Sequence, residues 1–394
     1  MNLAILHPDV QDFITKNLTF DISKIILKGS KFPNISVQEL ANQIVATQKS
    51  QKKLPTFFKK ENIYFPNKIN IEQTSSEVTA AYKSQLVSGE SLIDITGGFG
   101  VDSYYFSKKF KQVTHCEINK ELATIVHHNF EELNVSNCTT FSGNGINFLK
   151  ENKETFSCIY IDPSRRNDIK GKVFLLKDCQ PYLPPKIDFL FTKANQILVK
   201  LSPILDITNT INDLKNVKEV HVVAVNNEVK ELLFLLEKNY DAYITIKTVN
   251  LKNEVKTIFN FKYKSVISST YSSPKKYLYE PNAAILKSGG FHEVTIQLNV
   301  NKIQNHTHLY TSENIISFPG RSFSIESIIP YHKKRIQKQL NLKQANITTR
   351  NFPKTVAQIR KETKIKDGGN TYLFFCKNVD EKLIVIVCKK LMVN

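Results

Sequence analysis

The stretch Leu92–Phe106, "LIDITGGFGVDSYYF", restricts the fold more than any other part of the chain. An apolar run closes on Asp94, the glycines Gly97, Gly98 and Gly100 follow, and a helical pattern begins at once. A strand that enters a helix through such a turn leaves its backbone open to a ligand, as in nucleotide-binding α/β folds. The same rhythm continues to about residue 250, where "SLIDI", "KQVTHCEI", "CTTFSG", "FSCIYID", "QILVKLS", "EVHVVAV" and "AYITIKTV" alternate with helical stretches. These seven runs predict a parallel sheet with crossover helices. The stretch "NNEVKELLFLLEKNY" reads as a helix between the sixth and seventh strands.

Three ligands compete for the glycine turn. A dinucleotide asks for a third glycine where this chain has Ser103, and a P-loop asks for a Gly-Lys-Ser/Thr ending that is missing. S-adenosylmethionine asks for an acid at the close of the first strand, and Asp94 supplies it. Glu117, about 20 residues beyond the loop and after the second apolar run, is placed for the two ribose hydroxyls. Asn144, after the third run, offers adenine an amide oxygen and nitrogen. The fourth run ends in "DPSRR", Asp162 to Arg166, and two of the six arginines in a chain with 48 lysines stand together there. Pro163 fixes the backbone after Asp162, and Arg165 and Arg166 can fork onto phosphate or stack on a base. Upstream, "IEQTSSEVTAAYKSQL" brings Gln73 and Thr74 before the first strand, with Ser75 or Ser76 as a helix cap.

The charge is uneven. Residues 1–254 carry a net +3 and residues 255–394 a net +15, out of +18 in all. A basic module beside a near-neutral one suits a polyanion, because Lys and Arg gain affinity by releasing phosphate counterions. Candidate RNA contacts are Arg166, Arg321, Arg350, Arg360 and Lys361, with Lys333, Lys334 and Arg335 on a basic helix read from "SIIPYHKKRIQKQLNL". In the same region "VKTIFNFKY" and "FHEVTIQLNV" read as strands, and residues 346–391 as strand, helix and hairpin. With 394 residues, several domains are expected: a helical one over 1–85, an α/β one over 86–254 and a basic α+β one over 255–394. The six cysteines show no metal-binding spacing, so no metal and no disulfide is expected. No apolar run is long enough for a membrane span and no signal-peptide pattern opens the chain, which predicts a cytoplasmic protein.

The constellation Asp94, Gly98, Gly100, Glu117, Asn144 and Asp162-Pro163 resembles the class I S-adenosylmethionine-dependent methyltransferases over about residues 72–250. Together with "EQTSSEVTAAYK", "YEPNAAILKSGGF" and "TRNFPKTVAQIRKETKIKDGGNTYLF", it is similar to bacterial methyltransferases with a C-terminal THUMP-like domain. The resemblance implies a Rossmann-like seven-stranded α/β domain between an N-terminal helical domain and a C-terminal α+β, THUMP-like domain. It implies a donor site of Gln73, Thr74, Asp94, Thr96, Gly98, Gly100, Glu117, Ile118, Asn144, Gly145 and Asp162, with Asp162, Pro163 and Arg165 catalytic. THUMP domains bind RNA, so rRNA or tRNA is the expected partner, and the likeness of the Asp162 step to amino-directed enzymes makes a base nitrogen the expected target. Asp162-Pro163 is similar to the amino-directed Asn/Asp-Pro-Pro-Tyr signature, with Ser164 and Arg165 in place of its second proline and aromatic. A non-catalytic RNA-binding factor and a methyltransferase of protein or small molecules are the alternatives.

Overall fold

The computed structural model describes residues 1–165, 175–253 and 255–391. The chain forms two compact units, Met1–Val220 with Glu231–Ala242, and His221–Lys230 with Tyr243–Asn394.

The first unit opens with helices α1 (Pro8–Lys16), α2 (Ile22–Lys28), α3 (Val37–Lys53), α4 (Pro55–Lys59), α5 (Lys68–Gln73) and α6 (Glu77–Lys83). Local chemistry sets their ends. Ser36 and Glu39 close a reciprocal capping box on α3, and Ser76 caps α6 by accepting from Thr79 N–H. The sheet and its crossovers follow: β1 (Ser91–Asp94), α7 (Val101–Ser107), β2 (Gln112–Glu117), α8 (Lys120–Glu132), β3 (Cys138–Ser142), α9 (Gly145–Glu151), β4 (Phe156–Ile161), β5 (Ala194–Leu201), α10 (Ile207–Asp213), β6 (Val217–Val225) and β7 (Glu228–Glu237), with the hairpin segment His221–Lys230 of the last two counted in the second unit. Ile5, Leu40 and Phe57 share one apolar core with Phe99, Val101, Val126 and Phe130. The N-terminal helices are therefore packed on the glycine turn and on α8.

The sheet runs in the order β3-β2-β1-β4-β5-β7-β6 and continues past β6 into two further strands, Thr245–Lys252 and Val255–Lys262. β1 to β5 are parallel, and β7 is antiparallel to β5. This is the expected Rossmann-like methyltransferase sheet. The order reverses between β1 and β4, and a ligand binds outside the carboxyl ends of strands at such a switch point.

One strand was misread. "NNEVKELLFLLEKNY" is β7 and not a helix, whereas the expected "AYITIKTV" is a strand of the same sheet, Thr245–Lys252. Asn226 and Asn227 both take left-handed φ, 51° and 65°, which closes a two-residue hairpin after β6. Leu232 to Leu236 are all buried, and a strand covered on both faces has no alternation to tell it from a helix.

The second unit contains the antiparallel pair β8 (Thr245–Lys252) and β9 (Val255–Lys262). It continues with β10 (Tyr277–Pro281), α11 (Ala283–Ser288), α12 (Phe291–Leu298), β11 (Asn301–Lys302), β12 (Tyr310–Ser312), β13 (Gly320–Pro330), α13 (Ile336–Leu340), β14 (Asn346–Arg350), α14 (Val356–Thr363), β15 (Thr371–Lys377) and β16 (Leu383–Lys390). Its sheet runs β11-β12-β10-β13-β16-β15-β14. On β15, Phe374 and Cys376 enter one apolar cluster and Leu373 and Phe375 another, so both faces are covered.

Residues 346–391 are strand, helix and hairpin as expected. "FHEVTIQLNV" is instead helix α12, ended by Asn299 at φ 51°. The basic helix shrinks to Ile336–Leu340, because "SIIP" completes β13 by pairing with β16 as far as Pro330 and Ile384.

Candidate functional site

The glycine turn is held by side chains from β1 and β2 and by a backbone N–H that follows β4. Asp94 ends β1 with 1% of its surface exposed; its Oδ1 accepts from Thr96 N–H at 3.0 Å and its Oδ2 from the Ser103 hydroxyl at 2.7 Å. With that hydroxyl proton committed, the Ser103 oxygen accepts from His115 Nδ1–H at 3.0 Å, which sets the tautomer of a fully buried ring. Burial pushes the Asp94 carboxyl up to about 7 against the pull of Ser103 and Thr96, and pushes His115 down to about 3, so the imidazole is neutral. Both oxygens of Asp94 are therefore used inside the turn.

The glycines answer to distinct demands. A Cβ on Gly97 would lie 2.0 Å from the His115 ring, so the turn closes directly onto β2. Gly98 sits at φ 56°, and a Cβ there would meet nothing nearer than the Thr96 carbonyl at 4.0 Å. Its bare backbone faces open space. Gly100 caps α7 at φ 77° against Val126 and Phe130.

Glu117, half-buried at the end of β2, binds the turn from the other side. Its Oε2 accepts from Gly98 N–H at 2.8 Å and its Oε1 from Asn119 N–H at 2.7 Å. Ile118 beside it is 72% exposed. Asn144 caps α9 with its oxygen, which accepts from Ile146 and Asn147 N–H, so its NH2 group is what remains for a ligand. A Cβ on the adjacent Gly145 would lie 2.5 Å from Ile95 Cβ, so only glycine lets α9 start against the end of β1. Gln73 is exposed at the end of α5 and Thr74 caps that helix.

Asp162 follows β4 and belongs to the same edge, since its N–H donates to Thr96 Oγ1 at 2.6 Å. Thr96 thus ties the turn to the Asp-Pro step. Pro163 is buried. Ser164–Arg165 pairs by backbone with Cys179–Gln180; Arg166 lies outside the described residues.

The sequence reading missed Lys200. It stands near the end of β5, donates to Asp162 Oδ2, and leaves Asp162 30% exposed. Behind it lies a buried charge cluster. Lys83 Nζ, with no exposed side-chain surface, contacts Glu231 Oε2 at 2.8 Å, Ser75 Oγ at 2.9 Å and Asp102 Oδ1 at 3.1 Å. Asp102 Oδ2 also accepts from Tyr160 and Ser75. Burial opposes the charge on Lys200, yet Asp162, Asp102 and Glu231 outweigh it and raise the lysine above its ordinary range. A lysine within the buried run "QILVKLS" was the available signal, because a buried charge needs a partner.

In the second unit the candidate RNA contacts separate into two groups. Arg321 donates to Glu280 Oε2 at 2.6 Å and Arg350 to Glu280 Oε1 at 2.8 Å, both onto one buried carboxylate. Arg360 donates to the carbonyls of Ile365 and Ala345 and to Asp367. These three are committed to the fold. Lys333, Lys334 and Arg335 are exposed in the turn before α13, and Lys361 is exposed on α14. Among the described residues, no cluster of three or more His, Cys, Asp or Glu could hold a metal, and no helix is long and apolar enough to cross a membrane.

Comparison with known proteins supplies the family. A model described as "THUMP domain-like" matches residues 320–390, and one described as "ferredoxin-like domain" matches residues 277–319. The crystal structure of a "putative methyltransferase" from Porphyromonas gingivalis W83 is 33% identical and superposes with a TM-score of 0.88 over 98% of both chains. The chain belongs to that methyltransferase family. The chain is also 28% identical over 185 residues to an "uncharacterized RNA methyltransferase" from Mycoplasma mobile. That match covers 45% of the chain and 48% of the relative, so the chain spans about half the length of its curated relative. A "putative methyltransferase" from Streptococcus mutans, solved in complex with SAH, is 16% identical over 41% of this chain and 96% of its own, with a TM-score of 0.31.

Proposed function

We propose that the chain is an S-adenosylmethionine-dependent methyltransferase that acts on structured RNA, rRNA or tRNA, in the cytoplasm. The observation that carries the reading is the Thr96–Asp162 bond, which makes the glycine turn and the Asp-Pro step one edge at the switch point of the sheet. The residues there suit the donor. Gly98 offers bare backbone, Glu117 a carboxylate for the ribose hydroxyls, Asn144 an amide NH2 for adenine, and Ile118 an exposed apolar surface beside them. The donor supplies an activated methyl group. The protein's part is to orient the acceptor beside Asp162 and exclude water, so that proximity does most of the work.

RNA as the substrate rests on the net +15 of residues 255–394 and on the THUMP-like match. Exposed Lys333, Lys334, Arg335 and Lys361 are the phosphate contacts of this reading. Mass spectrometry of rRNA and tRNA nucleosides, from cells with and without the gene, tests it. A methylated nucleoside should vanish without the gene, return with it, and stay absent with Asp162→Ala. Unchanged RNA together with no binding of the donor in calorimetry would leave a non-catalytic RNA-binding factor.

A further inference from the structure

The ends of β4 and β5 carry a matched pair. Ile161 and Val199 are register partners in the parallel sheet, so the next residues, Asp162 and Lys200, stand side by side. Lys200 donates to Asp162 Oδ2, and among the described residues no hydrogen bond reaches Oδ1. Asp162 is 30% exposed and Lys200 14%, so an acceptor oxygen and a cationic donor meet at the rim of the site. Asp102 and Glu231 lie behind Lys200 and keep its charge in place.

The hydrogen-bond inventory of possible acceptors decides what such a pair can hold. A hydroxyl has one hydrogen for Asp162 Oδ1, one lone pair for a Lys200 N–H, and a second lone pair left to attack a methyl group. A pyridine-type ring nitrogen has a single lone pair, and a hydrogen bond from Lys200 would occupy the electrons needed for attack. An exocyclic amine has hydrogens for Asp162 but no spare lone pair for Lys200. Methylation of a neutral nitrogen also builds positive charge on it, which a fixed ammonium group opposes. Loss of a hydroxyl proton to a carboxylate keeps the reacting oxygen from holding such charge.

We propose that the methylated atom is a ribose 2′-hydroxyl oxygen of RNA, held between Asp162 Oδ1 and Lys200 Nζ. This inference rests on the RNA methyltransferase reading above and replaces the base nitrogen expected from Asp162 alone. The oxygen forms a bond to the methyl carbon as the carbon–sulfur bond of the sulfonium breaks, and that bonding pair stays on sulfur as a thioether. The hydroxyl proton passes to Asp162 Oδ1 and then to water. It leaves once carbon–oxygen bond formation has made it strongly acidic, so a carboxylate is base enough. Lys200 keeps its protons throughout and fixes the lone pair it binds.

The full-length chain, methyl-labelled donor and total RNA from cells lacking the gene test the proposal. Label should stay with the sugar when nucleosides fragment at the glycosidic bond, and the labelled linkage should resist alkali. An RNA with a 2′-deoxynucleotide at the mapped position should bind without accepting label. Lys200→Met should slow transfer at least about a hundredfold, in the range of lost general-base and electrostatic contributions, while donor affinity in calorimetry stays within about threefold. Label on a base, or Lys200→Met transferring as fast as the parent, overturns the 2′-hydroxyl assignment and leaves the RNA methyltransferase reading intact. No label in any RNA, with the donor bound, overturns both.

Discussion

Lys83→Met is the sharpest perturbation of the network beneath the site. Methionine keeps most of the side-chain volume and removes the charge. In the parent, Nζ lies 2.8 Å from Glu231 and 3.1 Å from Asp102, whose side chains are 2% and 8% exposed, so neither carboxylate can turn to water for compensation. Removing one partner of a buried pair costs about 3–5 kcal/mol, and that is the expected loss at pH 8. The pH dependence carries the mechanism. Burial already pushes the Glu231 carboxyl above its usual range, against Lys83 and Lys200. Without Lys83 it rises further, so the loss is complete above the folded-state value and shrinks as the pH falls through it. Urea denaturation from pH 5 to 8 measures the gap; with no tryptophan in the chain, tyrosine fluorescence and far-UV circular dichroism are the signals. Adding Glu231→Gln to Lys83→Met should recover about 1–2 kcal/mol at pH 8, within the range of coupling energies for contacting groups. A gap below about 1 kcal/mol at pH 8, or one that does not change with pH, refutes the idea that this cluster is held by ionic pairing.

Asp94→Asn should flatten part of the stability profile. The folded carboxyl sits near 7 against 3.8 for the free group, so the parent loses stability as pH rises from about 4 through 7. Three units at about 1.4 kcal/mol each set an upper bound of about 4 kcal/mol, and a parent-minus-variant difference that is constant with pH would contradict it. Gly97→Ala puts a Cβ 2.0 Å from the His115 ring, and a cost of about 1–3 kcal/mol or more is expected in thermal melts. Glu117→Gln replaces one of the two oxygens that accept from Gly98 and Asn119 with an NH2 group. Calorimetry should show donor affinity at least about tenfold weaker, the equivalent of about 1.4 kcal/mol, and affinity within twofold of the parent would count against Glu117.

Local signals carried the first five strands into the sequence reading. β1 to β5 each combine an apolar run with a turn or cap, and Glu117 and Asp162 stand at strand ends where pattern alone locates them. Contacts between distant segments left no such trace. Lys83 and Glu231 are 148 positions apart, and nothing near either residue announces the other. The charge count identified the basic final third, yet Arg321, Arg350 and Arg360 are bonded to carboxylates and carbonyls that only the folded chain brings close. Buried strands such as β7 defeat periodicity because both faces are apolar.

The place of β7 has a consequence for the ribosome. This strand inserts between β5 and β6 although it is made after both, so β5 has no neighbour on that side until residue 237 has been synthesised. About 36 residues separate the ends of β5 and β7, and at about 5–20 residues per second the gap lasts roughly 2–7 s. During that interval the edge of Ala194–Leu201, with Ile197, Leu198 and Val199, is open to whatever reaches the nascent chain. A pause in translation between residues 201 and 237 would prolong the exposure of that edge.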